Sequence, residues 1–173
     1  MMMIVVSDES IDAAFEIFNQ TSEDELQQLF ERFSNEQPLI LGYIFAMSAE
    51  LDVENYKDVL LQISLIIWQS FLLEAKSIPE ITSDIIYGIE AKKMDRLDGL
   101  LEAEDENSIS QENILALAPQ PNLLEFISGQ IDDVEEEEEI DDATQLMLFT
   151  ILEVIIECFD EVINRRNLKI ILN

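Results

Sequence analysis

Residues 54–76 read ENYKDVLLQISLIIWQSFLLEAK, and the run from Val59 to Leu73 within them holds fifteen residues without a charge. At about 100° per residue, Asp58, Gln62, Gln69 and Lys76 fall within about 40° of one another, and nearly everything around them is apolar. A helix apolar on almost every side is either the interior of a bundle or a membrane span. Fifteen residues at about 1.5 Å each reach roughly 22 Å, short of a hydrocarbon core of about 30 Å. Gln62, Ser64, Gln69 and Ser70 also interrupt the run. The stretch is therefore expected to be a central buried helix with Trp68 in the core.

A second stretch, about 141–165, has the same character. Asp141 and Asp142 stand at its start and Arg165 and Arg166 at its end, both signs matching the helix dipole. Its polar residues Thr150, Glu153, Glu157, Asp160, Glu161 and Asn164 form one stripe roughly 100° wide, read as a solvated face. The rest is apolar, so this helix is expected to lie against the first.

The remaining chain is read outward from these two rods. Ile11, Ala14, Phe15 and Phe18 have helical spacing over about 10–19. Ser22 and Glu25 have capping-box spacing ahead of Leu26, Leu29, Phe30 and Phe33, which predicts a helix over about 22–35. Pro38 suits a first turn and opens a helix to about Glu50. Pro79 is expected to open another to about Ala103, with a kink or break at Gly88 or Gly99. A short helix capped by Ser110 and holding Ile114, Leu115 and Leu117 follows, then one from Asn122 closed by Gly129. Met1 to Val6 and Leu168 to Leu172 are short, apolar and β-prone, and could pair with each other or cover a neighbour. The expected architecture is one all-α domain over 1–173, a multi-helix bundle of seven or eight helices, with 131–140 an acidic, mobile loop.

Composition excludes much chemistry. The 173 residues carry 38 Asp+Glu against 9 Lys+Arg and no His, for a net charge of −29. Yet 48% are apolar, enough for a core. Without imidazole there are no His-dependent triads, no zinc sites with His ligands and no Glu-x-x-His di-iron pairs. Cys158 is the only cysteine, which forbids an intrachain disulfide or a CxxC pair. It lies beside Phe159 on an apolar helix and is expected to be a core thiol, not a nucleophile. No basic, signal-like n-region precedes Asp8 and Glu9, and a reducing cytoplasm is the expected compartment. No cofactor or metal is expected.

The distribution of charge carries the functional expectation. Residues 105–142 hold thirteen acids and no base. They centre on Asp132, Asp133, Glu135, Glu136, Glu137, Glu138, Glu139, Asp141 and Asp142, the candidate partner-binding residues. Concentrated charge steers association, so the expected partner is a basic protein. Phosphates and anionic lipids would be repelled, which argues against direct nucleic-acid or membrane binding. The alternative is a nucleic-acid mimic or an immunity-type inhibitor of a basic toxin or nuclease. Area scaling gives roughly 8,700 Å² of folded surface, about one net charge per 300 Å². Duplex DNA has about one per 110 Å², so mimicry would need the acids gathered on one face.

One pattern resembles known chemistry. Glu135-Glu136-x-x-Glu139 followed by Glu157-x-x-Asp160 resembles the EExxE and ExxD signature of the all-α nucleotide pyrophosphohydrolases related to MazG, and covers about 26 residues. The resemblance implies carboxylates from neighbouring helices holding Mg²⁺. Here Glu139 stands just before a helix and Glu157 within that same helix, about 27 Å apart along the axis. Non-enzymatic binding is the preferred expectation.

Overall fold

The uncharged run does form a helix, and its neighbours close around it. A computed structural model of the chain describes residues 3–51, 54–102 and 118–172. Among them are seven helices and no strand: α1 (Asp8–Gln20), α2 (Glu23–Glu36), α3 (Pro38–Glu50), α4 (Glu54–Ala75), α5 (Ser83–Glu102), α6 (Pro121–Glu138) and α7 (Asp142–Leu172). The short helix expected after Ser110 lies outside the described residues.

Local signals set the first boundaries. The Ser7 hydroxyl accepts from the Ser10 N–H to start α1. Ser22 and Glu25 make the reciprocal capping box of α2, each side chain accepting from the other's backbone N–H. Pro38 occupies the first turn of α3, where its missing N–H costs nothing.

α4 and α7 pack against each other at the centre, as expected. Phe71 of α4 meets Phe159 of α7 with ring centroids 5.6 Å apart. α1 and α3 lie on α4, while α5 and α6 lie on α7. Every residue from Leu148 to Asn164 is buried except Glu157 and Glu161, which are half-buried. One contiguous apolar cluster runs from Val6 to Ile163 through all seven helices' surroundings, with Trp68 fully buried in it. Phe33 of α2 packs 5.2 Å from the Trp68 ring, and the Arg32 guanidinium lies 5.2 Å from the same ring's centre.

By length and composition alone, α4 over Tyr56–Ala75 could cross a membrane. It is the single such helix among the described residues, and half of that stretch is buried inside the bundle. A core helix has this character for the same physical reason as a span, since both face apolar surroundings all round.

Several expectations are corrected. α5 begins at Ser83, not Pro79, and runs to Glu102 as one element through Gly88 and Gly99. The buried Gln37 side chain explains the late start. It donates to Pro79 O (2.9 Å) and accepts from Ile81 N–H (3.0 Å), holding 79–81 out of the helix. The 131–140 loop is also wrong as secondary structure, because α6 runs past Gly129 to Glu138. Ile127 and Ile131 are buried and Val134 packs against the core. These residues stand four and three apart, so an apolar line carries the helix through the acids. Glutamate itself is a good helix former. Finally, 168–172 belongs to α7, so among the described residues no strand pairs the two ends.

Candidate functional site

The acidic surface is built at the end of α6. Asp132, Asp133, Glu135, Glu136, Glu137 and Glu138 all lie exposed on its last two turns. Glu139 then turns the chain with φ 52°, ψ 56°, a left-handed conformation usually taken by glycine. Its N–H donates to Glu135 O at 3.1 Å. Ile140 drops into the core, and Asp141 caps α7 by accepting from Thr144 N–H at 2.7 Å. Hydrogen bonds from the Thr144 hydroxyl and backbone hold the Asp141 carboxyl below its ordinary range. Glu139, Asp141 and Asp142 remain exposed. The nine expected residues thus form one exposed feature, with Ile131 just before it and Ile140 within it buried in the core.

Within it, two subsets face other elements. Asp132 and Asp142 lie on the wall of a cavity of about 320 Å³ together with Arg96 of α5. Glu138 and Asp141 lie near Tyr56 at the start of α4. Burial first, then these two charges, raise its phenol pKa. Among the described residues, no Lys or Arg lies within ion-pair distance of Asp132, Asp133, Glu135, Glu136, Glu137, Glu139, Asp141 or Asp142.

The stripe on α7 is not a solvated face. Thr150, Glu153, Asp160 and Asn164 are buried, with Arg96 of α5 on Glu153, Gln120 just before α6 on Asp160 and the N-terminal segment on Asn164. The Glu153 carboxylate, only 2% exposed, is forked by Arg96. Nη1 donates to Oε1 at 3.0 Å and Nη2 to Oε2. Lys93 Nζ bridges Glu153 (3.1 Å) and Glu157 (2.8 Å). The hydrogen bond to Glu153 raises Arg96 above its ordinary guanidinium value.

A second network lies one to three turns further along α7. Gln120 and Asn164 side-chain amides both donate to Asp160 Oδ1, at 2.8 and 2.6 Å. The same two amides take up the backbone of residues 4–6. Ile4 N–H donates to Asn164 Oδ1, and Val6 N–H to Gln120 Oε1, each at 2.8 Å. Ile4 O accepts from Gln120 (2.8 Å) and Asn164 (3.2 Å), and Val6 O from Asn122 (2.9 Å). The N-terminal segment is extended, as its β-prone residues suggest, but side-chain amides replace the partner strand. At its end, Glu74 of α4 accepts from Ser7 N–H (3.1 Å), Ser7 Oγ (2.8 Å) and Ser10 Oγ (2.7 Å). These bonds, Ser10's foremost, lower the Glu74 pKa.

Sequence reasoning missed both networks. The available signal was a set of polar residues on a helix whose other faces are all apolar, matched by Lys93 and Arg96 three apart on the neighbouring segment.

The two halves of the pyrophosphohydrolase-like pattern are not brought together. Glu157 is bound by Lys93 and Asp160 by amides, while Glu135, Glu136 and Glu139 stand at the end of another helix. Among the described residues, no group of three or more acids or Cys is arranged to hold a metal ion. Cys158 is fully buried. Burial foremost, then the nearby Glu157, Glu161 and Glu90, pushes its thiol up to about 12, as suits a core residue.

Comparison with known proteins finds no matching family model, no matching curated protein and no matching solved structure.

Proposed function

We propose that this protein works by binding, as an acidic helical module in the cytoplasm that docks a basic protein through the end of α6 and its link to α7. The observation that carries this reading is how the charges are divided. Lys93 and Arg96 are bound to carboxylates of α7, Arg32 to Glu36, and Arg165 to Glu161. Among the described residues, Asp132, Asp133, Glu135, Glu136, Glu137, Glu139, Asp141 and Asp142 have no Lys or Arg within ion-pair distance.

That arrangement is unfavourable without a partner. Four glutamates crowd the last turn of α6, at the negative end of its dipole, and repel one another. A cationic surface laid against them removes both terms, so association gains energy that the free protein cannot reach. Concentrated charge also raises the encounter rate in a salt-dependent way. Mimicry of duplex nucleic acid has less support. The accessible surface is 10270 Å², so 29 net charges spread evenly come to about one per 350 Å², against about one per 110 Å² on DNA.

The test replaces Glu135 to Glu139 together by Gln. Helicity by circular dichroism is expected to hold, and basic proteins captured from extract by the wild type at low salt are expected to be lost. Capture of the same proteins by the variant, with the same salt dependence, would remove the acidic docking surface.

A further inference from the structure

A second surface lies away from the acidic end of α6, where α2 diverges from α4. The two helices meet at Phe33 and Trp68. Toward Glu23 and Asp58 they leave a groove of about 420 Å³. Phe18, Leu26, Phe30 and Leu61 are half-buried along it, and Leu65 is buried at its base. An apolar cavity of about 150 Å³ holds a benzene ring, so this groove has room for two large apolar side chains.

Its rim decides what those side chains belong to. The two ionisable residues lining it, Glu23 and Asp58, are both acidic and exposed, and Asp24 and Glu25 follow Glu23 on the first turn of α2. A fatty acid or other anionic amphiphile would set its own charge against these carboxylates. A second copy of the chain would bring a net charge of −29 against −29. What matches an apolar floor with a negative rim is an amphipathic helix whose apolar stripe is flanked by Lys and Arg.

We infer that the groove between α1, α2 and α4 is an anchoring site for a basic amphipathic helix, distinct from the α6 surface. The two surfaces act by different physics. The α6 acids steer and are screened by salt, whereas the groove holds by buried apolar area and persists when salt is raised.

The test uses a fluorescein-labelled Leu/Lys peptide of about 18 residues with an apolar stripe at i, i+3, i+4 and i+7. Its controls are a scrambled peptide of the same composition and a Leu/Glu peptide of the same pattern. Binding is read by anisotropy at about 0.5 M salt, where the Debye length falls to about 4 Å. The striped basic peptide is expected to bind at least about tenfold more tightly than the scrambled control, and its margin over the Leu/Glu peptide is expected to widen as salt is lowered. Leu26→Glu, which puts a carboxylate on the floor, and Gln62→Trp, which fills the mouth from an exposed position, are each expected to weaken it by at least about tenfold. Gln62→Trp keeps the test sound should Leu26→Glu disturb folding. Replacing Glu135 to Glu139 by Gln is expected to leave this high-salt binding intact, which separates the groove from the α6 surface. Equal binding of the scrambled peptide, tighter binding by Leu26→Glu as an added acid would give, or no effect of Gln62→Trp would overturn the inference. So would self-association abolished by Gln62→Trp, which assigns the groove to a second copy.

Discussion

Arg96→Met tests whether the buried carboxylate on α7 is held as a charge. Glu153 is 2% exposed and Arg96 23%, with two charge-assisted bonds between them and a third to Glu153 from Lys93. Removing one partner of a buried pair costs about 3–5 kcal/mol, because the other charge stays buried without its counterion. Lys93 remains on Glu153, and Arg96 keeps some solvent, so the lower end applies, about 3 kcal/mol. For a chain of this length that lowers Tm by roughly 6–12 °C. Glu153→Met alone is milder, about 1–2 kcal/mol, since Arg96 can turn toward the solvent it already touches.

Arg96→Met with Glu153→Met is the informative variant. It leaves neither partner of the pair behind as an unpaired charge and fills the gap with apolar side chains, so it is expected within about 1 kcal/mol of the wild type. Lys93 keeps its partner Glu157. Urea denaturation of the four proteins in the cycle gives a coupling energy, expected at about 3–5 kcal/mol. Simple addition of the two single effects would refute the reasoning. It would mean that Glu153 reaches water or another donor when Arg96 is gone.

Three further outcomes follow from the same contacts. Glu74 has a pKa lowered on folding by the Ser7 and Ser10 bonds, so its contribution is present above the unfolded pKa and lost as pH falls through the folded one. Glu74→Gln is expected to cost about 1 kcal/mol at neutral pH, with the gap to wild type closing below about pH 4 in urea titrations; a pH-independent gap would contradict this. Glu139 holds a left-handed backbone without being glycine, so Glu139→Gly is expected to raise stability by about 1 kcal/mol and Glu139→Ala by clearly less. Cys158, buried with its thiol pushed up to about 12, is expected to react with a thiol reagent only in denaturant, and rapid labelling of the native protein would show the core open at α7.

What could be read from the chain depended on how local each cause was. The starts of α2 and α3 rest on the Ser22–Glu25 box and Pro38, whose partners lie within a few residues, and both were legible, whereas α1 starts at Asp8 on its Ser7 cap, ahead of the expected start near residue 10. The uncharged run of α4 announced its burial because no arrangement could expose it cheaply. Errors arose where a distant residue decided. Pro79 looks like a helix start until Gln37, some forty positions away, takes up its carbonyl. Gly129 looks like a helix end until the packing of Ile131 and Val134 carries α6 on through the glutamates. The nine acids of the candidate surface were all legible as a cluster. That they stand on a helix and not a loop was not, because the deciding contacts are tertiary.

The polar stripe of α7 teaches the same lesson with a functional consequence. A helical wheel places Thr150, Glu153, Glu157, Asp160 and Asn164 together but cannot say whether water or protein covers them. Here protein does, and Lys93 and Arg96 are drawn inward to neutralise the buried part. In a chain with 9 bases for 38 acids, each cation held inside is one fewer to offset the outer carboxylates. Burying a carboxylate on the central helix therefore sharpens the negative field at the surface, and fold and proposed docking become linked through a single limited resource. The linkage has a direction. Replacing the buried Glu153–Arg96 pair by apolar residues leaves the net charge unchanged and the α6 acids in place, so stability is expected to stay within about 1 kcal/mol of the wild type and salt-dependent capture of a basic partner to stay as it was.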